Sequence, residues 1–122
     1  MSNNLRIGII GCGIGDFHAE AYLLDKRADV VTLAGLDIPR CLEICKKHGI
    51  PEHTTNYEDI LARSDIDAVS IAVPNYLHMP IAIAALRAGK HVLLEKPIGL
   101  TAVEGQQIVA AAEESGKVLG MA

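Results

Sequence analysis

Aromatic residues are nearly missing from this sequence, which has one Phe, three Tyr and no Trp in 122 residues. That scarcity argues against the stacked-ring platforms that hold single-stranded nucleic acids or sugars. Positive charge is also short. The formal net charge is −4, whereas a phosphate backbone calls for a basic surface. Half of the residues are hydrophobic, yet no run of them reaches the ~18–20 residues that span a bilayer. Met1-Ser2-Asn3-Asn4 lacks the basic start and apolar stretch of a secretion signal. The expectation is one soluble, cytoplasmic domain, without linker, low-complexity tract or internal repeat. Cysteine is sparse and unpaired in number: Cys12, Cys41 and Cys45 form no disulfide pattern. Cys41 and Cys45 would share a helix face, but two thiols without His or carboxylate partners make a poor metal site. They read as reduced packing residues, and no metal is expected.

What the chain does contain is a regular alternation of short apolar runs and helical stretches. Leu5–Ile10 is a first strand, and a helix follows a glycine cluster from about Asp16 to Leu24. Val30–Leu36 is rich in β-branched residues and reads as a second strand. Asp37 ends it, and Pro39 falls in the first turn of a helix that runs to about Lys47. Gly49-Ile50-Pro51 breaks that helix. His53–Thr55 is a weak third strand, and Asn56 caps a short helix over Tyr57–Ala62. Ala68–Val73 is the fourth strand, with a helix from about Met79 to Ala88 stopped by Gly89. His91–Leu94 is the fifth. Thr101 and Glu104 read as a capping box for a helix ending at Ser115-Gly116, and Val118–Met121 begins a sixth strand. Strands apolar on both faces and joined by helices specify an α/β fold. The expectation is a doubly wound, Rossmann-type parallel sheet of order 3-2-1-4-5-6, covered by helices on both faces.

Gly11-Cys12-Gly13-Ile14-Gly15 follows the first strand directly and opens the first helix. A turn this tight needs residues without Cβ, so that backbone amides close on a pyrophosphate at the positive helix end. An acid ending the second strand, Asp37, is placed to accept hydrogen bonds from a ribose. The dinucleotide fingerprint is G-x-G-x-x-G, but here the third glycine falls one place early and Asp16 takes the sixth position. Asp16 is expected to turn toward water. The spacing G-x-G-x-G also suits S-adenosylmethionine methyltransferases, although those carry an acid before the first glycine where this chain has Ile9 and Ile10. Both readings stay open at this point.

Two later segments narrow the choice. Val73-Pro74-Asn75-Tyr76-Leu77-His78 ends the fourth strand, and Glu95-Lys96-Pro97 ends the fifth. In an open parallel sheet, both fall at the carboxyl edge where ligands bind, beside the glycine turn and Asp37. The stretches GCGIGDFHA, DAVSIAVPNYLH and AGKHVLLEKP resemble the N-terminal domain of the Gfo/Idh/MocA family, the relatives of glucose–fructose oxidoreductase and inositol dehydrogenase. The similarity covers nearly the whole chain.

That resemblance implies an NAD(P)-binding domain, residues 1–122, of an enzyme moving hydride between a nicotinamide cofactor and a sugar, polyol or related hydroxyl compound. The cofactor would rest on Gly11, Gly13, Ile14, Gly15, Asp37, Arg40, Val73, Pro74, Asn75, His78, Glu95, Lys96 and Pro97. Lys96 would be the catalytic group, assisting proton transfer. Burial and the positive charge of an oxidised nicotinamide would bring its ordinary pKa of ~10.4 toward the working range. Glu95 would contact the nicotinamide ribose or steady Lys96, and Pro97 would be cis. Asp37 favours NAD over NADP, while Arg40 is the residue that could accept a 2′-phosphate. Members of the family continue into a second domain for substrate contacts and oligomerisation, which is absent from this chain. Cofactor binding with little turnover is therefore expected, with weak self-association through apolar surface left uncovered. A non-catalytic NAD(H)-sensing module shares the same cofactor residues. His18 and His91 read as structural.

Overall fold

β-Branched and aliphatic runs too short to form helices of their own build a six-stranded, all-parallel sheet. A computed structural model describes residues 3–122. The strands are β1 (Leu5–Ile10), β2 (Ala28–Ala34), β3 (Glu52–Thr54), β4 (Ala68–Ile71), β5 (His91–Leu94) and β6 (Leu119–Met121). Their order is β3-β2-β1-β4-β5-β6, as the strand–helix alternation predicts. The chain reverses direction across the sheet between β1 and β4, which pair from Ile7–Ala68 to Ile10–Ile71. That pair forms the topological switch point.

Helices cover both faces, as burial of the strands on two sides requires. The helices are α1 (Gly15–Leu23), α2 (Ile38–His48), α3 (Tyr57–Leu61), α4 (His78–Arg87) and α5 (Ala102–Ser115). One core lies on the α1–α2 side around Ile7, Ile9, Leu33, Cys41 and Ile44. The other lies opposite, where Val69, Ile71, Leu86, Leu94 and Ile108 meet α4 and α5. The thiols belong to the first core, and burial pushes that of Cys41 up to about 12. Capping residues set the helix starts. Asp37, Asn56 and Thr101 each accept a backbone amide of the first turn, and Gly49 and Gly116 end α2 and α5 in the left-handed conformation.

Some boundaries differ from the sequence-based expectation. β4 stops at Ile71 rather than Val73, because a 3-10 turn over Asn75–Leu77 precedes α4. Thr101 caps as expected, but Glu104 reaches past it to the Leu100 amide at 3.1 Å. At the opposite edge of the sheet, the buried Lys90 donates to the carbonyls of Arg63 and Ile66, the latter at 2.8 Å. Those bonds satisfy two acceptors that the loop before β4 would otherwise leave dry.

Candidate functional site

The glycine turn lies at the switch point, and its three glycines answer three different demands. Gly11 has φ +114°, and a Cβ there would come within 2.3 Å of the Ala72 carbonyl oxygen just beyond β4. It brings the ends of the two central strands into contact. A Cβ on Gly15 would meet Ile9 Cγ2 at 3.0 Å, so this glycine lets α1 lie close on β1. Gly13 has nothing within 4 Å of its missing Cβ. Its bare backbone borders open space at the amino end of α1, where backbone amides and the helix dipole favour an anion. Placing the third glycine one residue early costs the packing nothing, since Gly15 makes the helix–strand contact itself.

Asp16 is the clearest departure from expectation. It is buried rather than turned to water. Its carboxylate accepts from His48 at 2.6 Å, Arg40 at 3.2 Å and Lys47 at 3.4 Å, all on α2. The His48 bond, supported by Lys47 against the opposing effect of burial, holds its carboxyl below the ordinary carboxylate value. Its charge is thus directed sideways into α2 and away from the anion-binding end of the helix. Arg40 is drawn into the same cluster and also lies 3.5 Å from Glu43, with its side chain 38% exposed.

Asp37 stands exposed at the end of β2. One oxygen, Oδ1, accepts the Arg40 amide at 3.2 Å; the other has no partner among the described residues and is open to a diol. On the far side of the switch point, His78 is 1% exposed. Its ring nitrogens sit 2.6 Å from the Pro97 carbonyl oxygen and 3.0 Å from that of Val73. The imidazole stands between the loop after β4 and the loop after β5, and either tautomer donates its N–H to one of the two carbonyls. Buried there, the ring braces the groove without reaching into it. Pro74 is exposed, and Asn75 Oδ1 is buried with no hydrogen-bond partner among the described residues. A buried carbonyl without a donor is costly, so a ligand amide or hydroxyl donor suits it. The Lys96–Pro97 bond is cis, and Lys96 is exposed without a partner among the described residues. Ile14 is exposed beside the turn.

The structure therefore gathers the glycine turn, Asp37, Val73–Asn75, His78 and Glu95–Pro97 along one edge, with Arg40 set aside by Asp16. Open space at Gly13, the bare oxygen of Asp37 and the orphaned Asn75 Oδ1 all fit a dinucleotide. Sequence reasoning gave no site role to His18 or Ser70. The signal available was a lone hydroxyl inside the apolar run Ala68–Val73, which must find a partner once buried. Its partner is His18. His91, read as structural, accepts the Val118 amide at 3.0 Å and joins β5 to the β6 edge.

Comparison with known proteins agrees with this geometry. The profile of a family described as an oxidoreductase family with an NAD-binding Rossmann fold matches residues 5–122. The chain is 38% identical to the 1,5-anhydro-D-fructose reductase of Ensifer adhaerens over 92 residues, 75% of the chain and 28% of that enzyme. Among solved structures it superposes on GenD2 from gentamicin A biosynthesis in complex with NAD, at a TM-score of 0.93 and 33% identity. That match covers 99% of the chain and 35% of the other. It also superposes on the biliverdin reductase of Synechocystis sp. PCC 6803, solved with biliverdin and NADP+, at a TM-score of 0.90 and 35% identity over 96% and 37%. The chain spans about a third of the length of these relatives or less. The comparisons lend the S-adenosylmethionine reading no support.

Proposed function

Since the chain belongs to the Gfo/Idh/MocA oxidoreductase family and carries its NAD-binding Rossmann domain, we propose that it binds NAD in preference to NADP along the carboxyl edge of the sheet. In the longer enzymes it resembles, the domain would serve hydride exchange with a sugar, polyol or related hydroxyl compound. The observation that carries the reading is the convergence on one edge of an open glycine backbone, an exposed carboxylate and an orphaned amide oxygen. Gly13 and the amino end of α1 hold the pyrophosphate, flanked by Gly11, Ile14 and Gly15. Asp37 accepts the adenosine ribose hydroxyls, and its charge repels a 2′-phosphate, while the nearby Arg40 is paired with Asp16. The loop of Val73, Pro74 and Asn75, braced by His78, lines the other half of the groove with Glu95 and Pro97. When bound, the cofactor supplies hydride chemistry. Lys96, projecting from the cis-proline loop, holds the proton that accompanies it. The residues 1–122 act as a cofactor domain, with little turnover by themselves. Cytoplasmic location and weak self-association belong to the same proposal.

Calorimetric titration of the chain with NADH and NADPH tests it. Asp37→Asn keeps an oxygen for capping α2 and removes the charge, so NADH affinity should fall about tenfold, the worth of a hydrogen bond to a charged group. NADPH affinity should rise or hold. Tight S-adenosylmethionine binding without any response to NADH would overturn the proposal.

A further inference from the structure

The dinucleotide reading leaves two buried polar residues without a task, His18 on α1 and Ser70 in the middle of β4. His18 is 8% exposed, and Ser70 has no exposed surface. The His18 Nδ1 meets the Ser70 hydroxyl, and its Nε2 lies 2.7 Å from Glu95 Oε2. A string of side chains, Ser70–His18–Glu95, thus runs from β4 to the residue preceding Lys96. Donors and acceptors balance along it when Ser70 donates to Nδ1 and the Nε2 proton is donated to Glu95. Serine, histidine and acid in this order also serve acyl transfer. Here the serine is sealed in the sheet, where no acyl group can reach it, so that use is excluded.

What the string does is hold a charge. The Glu95 side chain is 23% exposed, Oε2 is tied to His18, and Oε1 has no partner among the described residues. A dinucleotide with its adenosine ribose at Asp37 and its phosphates at the turn after β1 extends its far half past β4 toward β5. That half carries a positive ring when oxidised and a neutral ring when reduced, and a carboxylate fixed nearby stabilises the positive ring more. We propose that His18 is a positioning residue which, by holding Glu95, gives the groove its preference for the oxidised over the reduced cofactor. The inference rests on the dinucleotide reading.

The test is a set of calorimetric titrations with NAD+ and NADH on the chain and on Glu95→Gln, His18→Asn and His18→Gln. The amide nitrogen of Gln falls near the place of Nε2, and the amide oxygen of Asn falls near that of Nδ1, where it accepts from Ser70. The Gln variant therefore keeps the bond to Glu95, and the Asn variant keeps only the bond to Ser70. Glu95→Gln should shift the ratio of the two affinities toward NADH by about fivefold, the size of one partly screened charge contact. His18→Asn should move it in the same direction, and His18→Gln should leave it near that of the parent. Equal ratios in the two His18 variants, or both affinities falling together while Glu95→Gln alone moves the ratio, would reduce His18 to a structural role and overturn the inference. A parent chain that binds neither cofactor would overturn the dinucleotide reading as well.

Discussion

Gly11→Ala and Gly13→Ala add the same methyl group to the same turn, with opposite expected outcomes. At position 11 the methyl meets the Ala72 carbonyl in a backbone conformation that side chains avoid, which should cost at least about 2 kcal/mol of stability. At position 13 it enters empty space, so stability should stay within about 0.5 kcal/mol, while NADH binding falls about tenfold or more as the phosphate cradle fills. Urea unfolding and calorimetry on the two variants check both halves. A Gly13→Ala variant that binds NADH like the parent would remove Gly13 from the site. The glycine turn was readable from its place between a strand and a helix, but its division of labour was not. The partner of Gly11 lies just beyond β4 and that of Gly15 on β1, and only the folded sheet shows which glycine is left facing nothing.

Secondary structure was legible wherever a local rule governs it. Caps at Asp37, Asn56 and Thr101 and stops at Gly49 and Gly116 involve neighbours in sequence, and the helices begin and end close to where those residues place them. Contacts between elements were not legible in the same way. Asp16 read as solvent-facing because nothing near it in the chain discloses that α2 presents His48, Lys47 and Arg40 to it. The consequence belongs to the α1–α2 pair. A carboxyl held below its ordinary value contributes stability that is present above the unfolded value of about 3.9 and is lost as pH falls toward its own lowered value. Asp16→Asn should therefore lower the urea midpoint at pH 7, and the gap to the parent should narrow below about pH 4. A gap that stays constant through acid pH would deny the cluster its stabilising charge.

At the scale of the molecule, the doubly wound topology was the most legible feature, because alternating buried strands and helices leave a parallel sheet few ways to form. Less legible was how unevenly the helices cover it. On the α1 side, Leu93 of β5 and Ala122 beyond β6 border a cavity of about 300 Å³ with Phe17, Ala21 and Tyr22. Phe17 is 65% exposed. The proposed self-association uses this face, so sedimentation velocity should show weak dimers that Phe17→Ser disperses. A parent chain that stays monomeric at the highest concentrations would refute it.

His78 sets a different constraint on the whole. Its ring lies between the carbonyls of Val73 and Pro97, so the loops after β4 and β5 share one buried contact. A substitution that displaces the ring would therefore be felt at both halves of the groove at once.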